Sequence, residues 1–219
     1  MKTVAFVPIK LNNERTPGKN TKEFFDGTPL IHFIEKTLLK VSNIDEVYVY
    51  CSSEAITPYL LDGVKFLKRP EFLDGPSCNA TQLVENFTKT IDADVYVMAH
   101  ATSPFVKSET IYDCVDKVIN DDYDSAYPVK RMQNFFWYEG KPLNFELDNI
   151  KRTQDVEPLF CELCTPFVFK KEVFLKYRAR TGVKPYQKEE DEIESIDIDY
   201  PEDFELANAI YRSRMNREM

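Results

Sequence analysis

A short loop near the start of the chain concentrates positive charge. Lys10, Arg15 and Lys19 follow directly after the apolar run Val4–Val7. The rest of the chain is acidic, with 28 Lys and Arg against 37 Asp and Glu overall. Converging cations and backbone N–H groups suit a bound triphosphate, which carries about four negative charges. We interpret the loop as a phosphate-binding candidate, and a solvated connector remains the alternative.

Two asparagines within this loop favour the first interpretation. Asn12 and Asn13 tolerate left-handed backbone, so they can shape an anion-binding turn without glycine. The loop nevertheless matches neither of the common glycine-rich phosphate patterns, GxxxxGK[ST] and GxGxxG. Its candidacy therefore depends on its charge and its place after a first strand.

A second candidate lies near the end of the chain, where Ser195–Asp199 alternates strictly between polar and apolar residues. On a strand, Asp197 and Asp199 share one face while Ile196 and Ile198 enter the core. Two neighbouring carboxylates repel unless a proton or a cation compensates them. Mg²⁺ commonly binds one or two carboxylates together with substrate phosphates. The pattern predicts a strand that carries a metal site, and a wet edge strand is the alternative.

Composition limits the classes of partner. The formal net charge of −9 argues against nucleic acid and anionic membrane, because neutralising phosphate needs a basic face. A content of 43% hydrophobic and 30% charged residues is typical of a water-soluble globular chain. The short apolar run at the start meets Pro8, well short of a signal or spanning length. We expect a cytoplasmic protein.

The cysteines offer a competing hypothesis. There are five, an odd number, and we expect reduced, packed thiols. Cys161 and Cys164 alone have CxxC spacing, and the two histidines, His32 and His100, lie far from them in sequence. A zinc or redox protein is therefore the weaker interpretation.

Short apolar runs alternate with helical periodicity through the first half. The predicted strands are Val4–Val7, Val47–Cys51, Val64–Leu67, Val95–Ala99 and Ala126–Val129. Helical spacing recurs over 30–39, 83–91 and 111–118. This alternation predicts an α/β fold with a mostly parallel sheet flanked by helices. Ligands of such sheets lie beyond the carboxyl ends of the strands, which directs attention to the loops after Val7, Cys51 and Ala99.

The second half has weaker periodicity. Residues 130–165, which we call the arm, contain Trp137 and a Glu-Gly-Lys-Pro turn, and they predict an antiparallel insertion. A strand at Phe167–Phe169 and a helix at Glu172–Ala179 should follow. Pro201–Arg212 should form a last helix, with Pro201 at its first position. With no repeat and no linker, residues 1–219 are interpreted as one domain.

Several segments together resemble the cytidylyltransferases that make CMP-activated 3-deoxy sugar acids, the CMP-sialic acid and CMP-Kdo synthetases. Their opening loop commonly reads IPARxxSxRLPGKN. This chain matches it at Pro8, Arg15, Pro17, Gly18, Lys19 and Asn20, while Lys10 replaces an arginine and Asn13 replaces a serine. Further segments similar to the family are Lys68–Leu73, Ala101–Phe105, Arg152–Asp155, Thr181–Pro185, Glu194–Asp199 and Pro201–Ala207. Their order over about 200 residues makes the combination specific.

The resemblance implies a Rossmann-like, glycosyltransferase-A-like nucleotidyltransferase that couples CMP from CTP to a sugar acid and releases pyrophosphate. It implies Mg²⁺ on Asp197 and Asp199, and a homodimer in which the arm forms the interface and an acceptor lid. The implied catalytic residues are Lys10, Arg15, Lys19 and Asp197. The implied nucleotide-binding residues are Pro8, Lys10, Asn12, Asn13, Arg15, Lys19, Arg69, Asn79 and Thr81. The implied acceptor-binding residues are Asn20, His100, Thr102, Ser103, Arg152, Gln154 and Asp155.

Departures from the family pattern keep other hypotheses open. His100 and Ala101 stand where sialic acid enzymes tend to have Gln-Pro, so His100 either orients an acceptor hydroxyl or is a histidine satisfied at a strand end. Leu163–Pro166 replaces a small glycine-containing segment at the acceptor pocket. A nucleotide-binding module without catalysis, a partner subunit, or a transferase with another base or acceptor are the alternatives.

Overall fold

The structure is a computed structural model that describes residues 1–13 and 15–218, with side chains as far as residue 216. Its α-helices are α1 Leu30–Leu39, α2 Ala80–Thr90, α3 Ser108–Asn120, α4 Lys171–Tyr177 and α5 Pro201–Glu218. Its strands are β1 Thr3–Ile9, β2 Glu46–Cys51, β3 Val64–Lys68, β4 Val95–Met98, β5 Ser125–Met132, β6 Trp137–Tyr138, β7 Lys141–Pro142, β8 Leu159–Glu162, β9 Phe167–Lys170 and β10 Pro185–Glu189.

One large sheet organises these elements in the order β10-β5-β9-β4-β1-β2-β3. Strands β3, β2, β1 and β4 are parallel to one another. Strand β9 runs antiparallel between β4 and β5, and β10 runs parallel to β5. The predicted α/β fold with a mostly parallel sheet is confirmed. Its parallel half brings the loops after β1, β3 and β4 to one edge.

Alternation along the strands divides the core into two layers. In β1, Ala5 and Val7 pack on the face covered by α1 and α3. The intervening Phe6 packs on the opposite face, where its ring stacks on Phe87 of α2 at 4.1 Å between centroids. Both faces are apolar, which is why the central strands form continuous hydrophobic runs in the sequence. A third cluster joins α5 to the segment after β1, and fully buried Ile198 belongs to it.

Apart from the strand at Ser195–Asp199, the predicted helices and strands are present with small changes of boundary. Strand β4 ends at Met98, α4 ends before Arg178, whose φ of 56° closes the helix, and α5 continues to Glu218. The sequence did not reveal β8 and β10. Both lie at the side of the sheet and carry polar residues such as Gln187 and Glu162, so their apolar signal is weak.

The predicted strand at Ser195–Asp199 is wrong. Residues 196–199 have no strand assignment, and Ile198 donates its backbone N–H to the carbonyl of Thr102 at 2.8 Å. The carbonyls of Ile198 and Asp199 accept instead from side chains of Lys19 and Thr16, so no ladder forms. The expected alternation is present only in part: Ile198 is buried, whereas Ile196 is partly buried like the two carboxylates.

The arm contains the end of β5, the small β6–β7 hairpin and β8, which pairs antiparallel with β5. Large apolar side chains lie at its surface. They are Trp137, Tyr138, Leu143, Leu147, Ile150 and Phe160. The antiparallel character expected of this segment is therefore present in its hairpin and in β8.

Two further expectations concern the membrane and the thiols. Within residues 1–13 and 15–218, no helix has the length and apolar character needed to cross a bilayer. All five cysteines are unpaired; Cys51 and Cys114 are buried as expected, whereas Cys161 and Cys164 lie at the surface. No group of three or more metal-ligating side chains occurs among the described residues, so the zinc hypothesis gains no support.

Candidate active site

A cleft of about 440 Å³ opens at the carboxyl ends of β1, β3 and β4. It brings together seven of the residues predicted to bind nucleotide, namely Pro8, Lys10, Asn12, Asn13, Arg15, Lys19 and Arg69. His100, predicted to bind the acceptor, also lines it. We expected the loop after β2 to lie at the ligand site, and this expectation is wrong. That loop turns away into a 3₁₀ helix at Glu54–Tyr59, and the segment after β3 lines the cleft in its place.

The loop after β1 is held in shape by its own polar groups. Gly18 adopts φ 68°, a left-handed conformation that favours glycine, and starts the 3₁₀ turn Lys19–Thr21. Asn20, predicted to bind the acceptor, is buried and donates from Nδ2 to the carbonyl of Lys10 at 2.9 Å. Asn20 therefore fixes the loop that carries the cations.

The cationic loop meets one of the two predicted carboxylates near the chain end, Asp199, and makes no ion pair with Asp197 among the described residues. Arg15 Nη1 lies 2.7 Å from Asp199 Oδ2, and Lys19 Nζ lies 3.6 Å from Asp199 Oδ1. Buried Lys19 also donates to the carbonyl of Ile198 at 2.7 Å, and Thr16 Oγ1 donates to the carbonyl of Asp199 at 3.0 Å. These contacts join residues about 180 positions apart in sequence. The segment at 198–199 therefore packs against the loop that lines the cleft, whereas Asp197 and Asp199 are not themselves among the residues that line it.

Lys10 differs from its two neighbours. It lines the cleft, but its ammonium forms no ion pair with any residue in the described part of the chain. Arg15 and Lys19 share Asp199, so an incoming anion competes with that carboxylate for them. Lys10 is thus the cation most available to an anionic ligand.

The second carboxylate, Asp197, has an oxygen that is available to bind a ligand. Its Oδ1 is buried and has no hydrogen-bond partner among residues 1–13 and 15–218. A buried carboxylate oxygen without a partner is costly, and a cation would relieve that cost. Asp197 fits a Mg²⁺ ligand, because Mg²⁺ needs one or two carboxylates when phosphates supply further oxygens.

Arg69 also lines the cleft and is 3% exposed. Its Nε donates to Asp74 Oδ1 at 3.0 Å, and its Nη2 contacts the same oxygen. Ser52, at the end of β2, donates to the other oxygen of Asp74 at 2.5 Å. This network locks the orientation of the guanidinium beside the cleft.

His100 follows β4 at the floor of the cleft. Its Nδ1 lies 2.6 Å from the carbonyl of Cys164, and its backbone N–H donates to Thr165 Oγ1 at 3.0 Å. Because a carbonyl only accepts, Nδ1 carries the proton and Nε2 is left as an acceptor. Burial lowers the pKa of His100, which favours this neutral form.

The remaining predicted acceptor residues do not line this cleft. Thr102 and Ser103 shape the turn after β4, where the carbonyl of Thr102 holds Ile198. The other three predicted acceptor residues are exposed in the arm; they are Arg152, Gln154 and Asp155. Arg152 Nε donates to Asp155 at 2.7 Å. Contact of these three with an acceptor stays a prediction.

Two residues expected near the base have structural partners. Asn79 caps α2, where its side chain accepts from the N–H of Gln82 at 3.0 Å in a capping box. Thr81 donates to the carbonyl of Arg178 at 3.3 Å and faces a different cavity. Neither lines the cleft.

Sequence reasoning missed other lining residues, namely Thr16, Leu73, Asp74, Gly75, Pro76, Cys78 and Leu83. Most lie in the stretch between Arg69 and the cap of α2. The Asp-Gly-Pro run at 74–76 is a turn signal that could have marked this stretch as a loop wall.

The sequence pattern of the family described as Cytidylyltransferase matches residues 4–218. N-acylneuraminate cytidylyltransferase A of Danio rerio is 27% identical over 213 residues, which cover 93% of this chain and 49% of that protein. CMP-N,N'-diacetyllegionaminic acid synthase of Legionella pneumophila is 28% identical over 138 residues, or 59% of each protein. The chain thus spans about half the length of the first of these relatives.

Solved structures show the same fold. A CMP:2-keto-3-deoxy-manno-octonic acid synthetase complexed with CTP has a TM-score of 0.75 at 14% identity, covering 98% of this chain and 100% of that one. A 4-diphosphocytidyl-2C-methyl-D-erythritol synthase from Anaerococcus prevotii has a TM-score of 0.67 at 13% identity, covering 96% of each chain. The family pattern covers nearly the whole chain, and the chain therefore belongs to the cytidylyltransferase family.

Proposed function

We propose that the protein transfers a cytidylyl group from CTP to a hydroxyl of a small sugar acid and releases pyrophosphate. The observation that carries the proposal is a cleft lined by Lys10, Arg15 and Lys19, of which Arg15 and Lys19 also contact Asp199. A family member whose cleft gathers cations in an acidic chain is suited to a polyphosphate.

The three cations would contact the triphosphate in different ways. Lys10 is free to meet phosphate oxygens directly, whereas Arg15 and Lys19 exchange Asp199 for phosphate or share both. Arg69 lines the same cleft and is held by Asp74, so it would present a fixed surface to the base. Rigid positioning of this kind is a large part of catalysis in phosphoryl-type transfers.

Asp197 and Asp199 are the residues that would hold Mg²⁺. The partnerless Oδ1 of Asp197 supports this assignment. When bound, Mg²⁺ would supply positive charge that neutralises phosphate oxygens. Asp199 contacts Arg15 and Lys19, so a metal ion held by this carboxylate would share it with the cationic loop.

The reaction forms one bond and breaks another at the α-phosphorus of CTP. The acceptor oxygen bonds to the α-phosphorus, the bond from that phosphorus to the bridging oxygen of pyrophosphate breaks in line, and the hydroxyl proton passes to water. His100 lines the floor of the cleft with Nε2 as an acceptor, so it would orient the attacking hydroxyl. Lys10 and Lys19 would hold the leaving pyrophosphate.

We propose further that two copies associate through the arm. Its exposed apolar side chains, among them Trp137 and Leu147, form a surface that a second copy could bury. A symmetric homodimer is the commonest assembly of soluble chains.

Turnover tests the proposal. Pyrophosphate release from CTP should require Mg²⁺ and one of three acceptors: N-acetylneuraminate, 2-keto-3-deoxy-manno-octonic acid or N,N'-diacetyllegionaminic acid. ATP, GTP and UTP serve as controls for the base. CTP binding without release with any of these acceptors would favour the non-catalytic binding module, and release from another triphosphate would correct the base.

A further inference from the structure

Arg180 is a half-buried cation outside the nucleotide cleft. It follows α4, and its guanidinium carbon lies 3.4 Å from the centroid of the Phe167 ring, so the two planes stack. Its side chain is 28% exposed. Burial is the main influence on its ionisation and lowers the pKa of Arg180, although it remains charged at neutral pH. The cation therefore stands in an environment that poorly solvates it.

Its charge is weakly compensated within the chain. Among residues 1–13 and 15–218, its one acidic partner is Glu162, at 3.5 Å, and that carboxylate is half exposed. Arg69, by comparison, contacts Asp74 through two nitrogens. A partly desolvated guanidinium with a single long contact retains donors for another anion.

Arg180 lines a cavity of about 290 Å³ of mainly apolar character. The other lining residues are Ala80, Thr81, Val84, Phe174, Ala179 and Thr181. Pockets for small molecules typically begin at about 300 Å³ and combine apolar walls with a few polar groups. This cavity can hold the acid end of a small ligand, with a carboxylate at Arg180 and carbon atoms against the apolar wall.

The cavity adjoins the cleft. Residues Ala80 and Val84 of α2 face the cavity, whereas Leu83 of the same helix faces the cleft. Phe167, under Arg180, pairs with Met98, two residues before His100. Arg180 also acts electrostatically on His100. The two spaces therefore share the first turns of α2 as a lining element.

We propose that Arg180 binds the carboxylate of the acceptor acid and thereby selects acidic acceptors. The inference rests on the proposed function and adds to it a binding residue on the acceptor side. His100, which lines the cleft and is influenced by the charge of Arg180, would then stand beside the acceptor hydroxyl. Arg180 is a specificity-determining residue in this arrangement, and Lys10, Arg15 and Lys19 serve the nucleotide.

The test compares each acid with its own methyl ester. N-acetylneuraminate, 2-keto-3-deoxy-manno-octonic acid, N,N'-diacetyllegionaminic acid and their esters are titrated into the full chain by calorimetry in the presence of CMP and Mg²⁺. A charge-assisted contact predicts a preference of about tenfold or more for the acid. Arg180→Met should reduce that preference to less than about twofold, and Arg180→Lys should restore part of it.

Arg178→Met is the matched control. Arg178 lies two residues away, is exposed and pairs with Glu85, so its loss should leave the preference for the acid unchanged. The melting temperature of each variant shows whether it is folded. CTP affinity should be the same in all variants, which separates an acceptor effect from damage to the nucleotide site.

Three results would overturn the inference: equal binding of acid and ester by the wild-type chain, a preference that survives Arg180→Met, or no binding of any of the three acids. These outcomes are distinct from failure of the proposed function. That failure is the absence of pyrophosphate release from CTP, whereas the inference is decided by binding alone.

Discussion

The cleft and the arm differ in how far their charged and apolar side chains are exposed. In the cleft wall, the Arg69–Asp74 ion pair is buried at the guanidinium, whereas Arg152–Asp155 in the arm is an exposed pair with Arg152 74% accessible. Large apolar side chains are exposed in the arm, with Leu147 at 62%. The cleft is therefore organised by contacts within the chain. The arm has the character of a surface that another molecule completes.

The largest effect should come from Asp197→Asn. Turnover should fall by about 100- to 1000-fold, because the variant loses a charge that supports several kcal/mol of metal-assisted stabilisation. CTP binding should weaken only modestly. Steady-state pyrophosphate release measures the first quantity and calorimetry the second. Glu202→Gln, an exposed carboxylate five residues along, is the control, and equal turnover of Asp197→Asn and wild type would refute the metal assignment.

A pair of substitutions tests whether the two ion pairs differ as described. Asp74→Ala should lower the free energy of unfolding by about 3 kcal/mol, because it leaves the buried Arg69 guanidinium without its carboxylate. Asp155→Ala in the arm should lower it by less than about 1 kcal/mol. Denaturant unfolding of both variants gives the numbers. Equal losses would remove the contrast between the cleft and the arm.

The arm surface can be tested by charge. Introducing Trp137→Glu together with Leu147→Glu should weaken self-association by about 100-fold, since burying two carboxylates in an apolar interface is unfavourable. Sedimentation across a concentration series measures this. Leu206→Glu, on α5 and 56% exposed, should leave association unchanged. A wild-type chain that stays monomeric throughout would disprove the proposed dimer.

A smaller effect is expected from Lys10→Ala. The KM for CTP should rise about tenfold, because a charge-assisted contact in a solvated cleft contributes on the order of 1.5 kcal/mol. Lys10→Arg should keep most of the affinity, and Lys40→Ala, at the exposed end of α1, should change nothing. An unchanged KM for Lys10→Ala would contradict a contact of Lys10 with CTP and would leave phosphate binding to Arg15 and Lys19.

The sequence predicted the parts of the fold that depend on local apolar patterns. Strands β1, β2 and β4 are buried on both faces, so their apolar runs are unmistakable. The meeting of Lys19 with Asp199 was expected from the resemblance to the family and not from strand geometry, because residues 196–199 form no strand.

The features that the sequence did not predict correctly depend on tertiary contacts. Alternation at 195–199 requires only extended backbone, and a strand also needs a neighbour, which side chains of Thr16 and Lys19 replace here. The Arg69–Asp74 pair and the stacking of Arg180 on Phe167 depend on how loops pack. No local signal in the sequence identifies them.

The central claim is that the cleft recognises phosphate charge on a cytidine nucleotide. Calorimetric titration of cytidine, CMP and CTP, each with and without Mg²⁺, tests it most directly. We predict that affinity rises with each added phosphate and that Mg²⁺ tightens CTP binding more than CMP binding. Equal affinity for cytidine and CTP, with or without Mg²⁺, would contradict the claim.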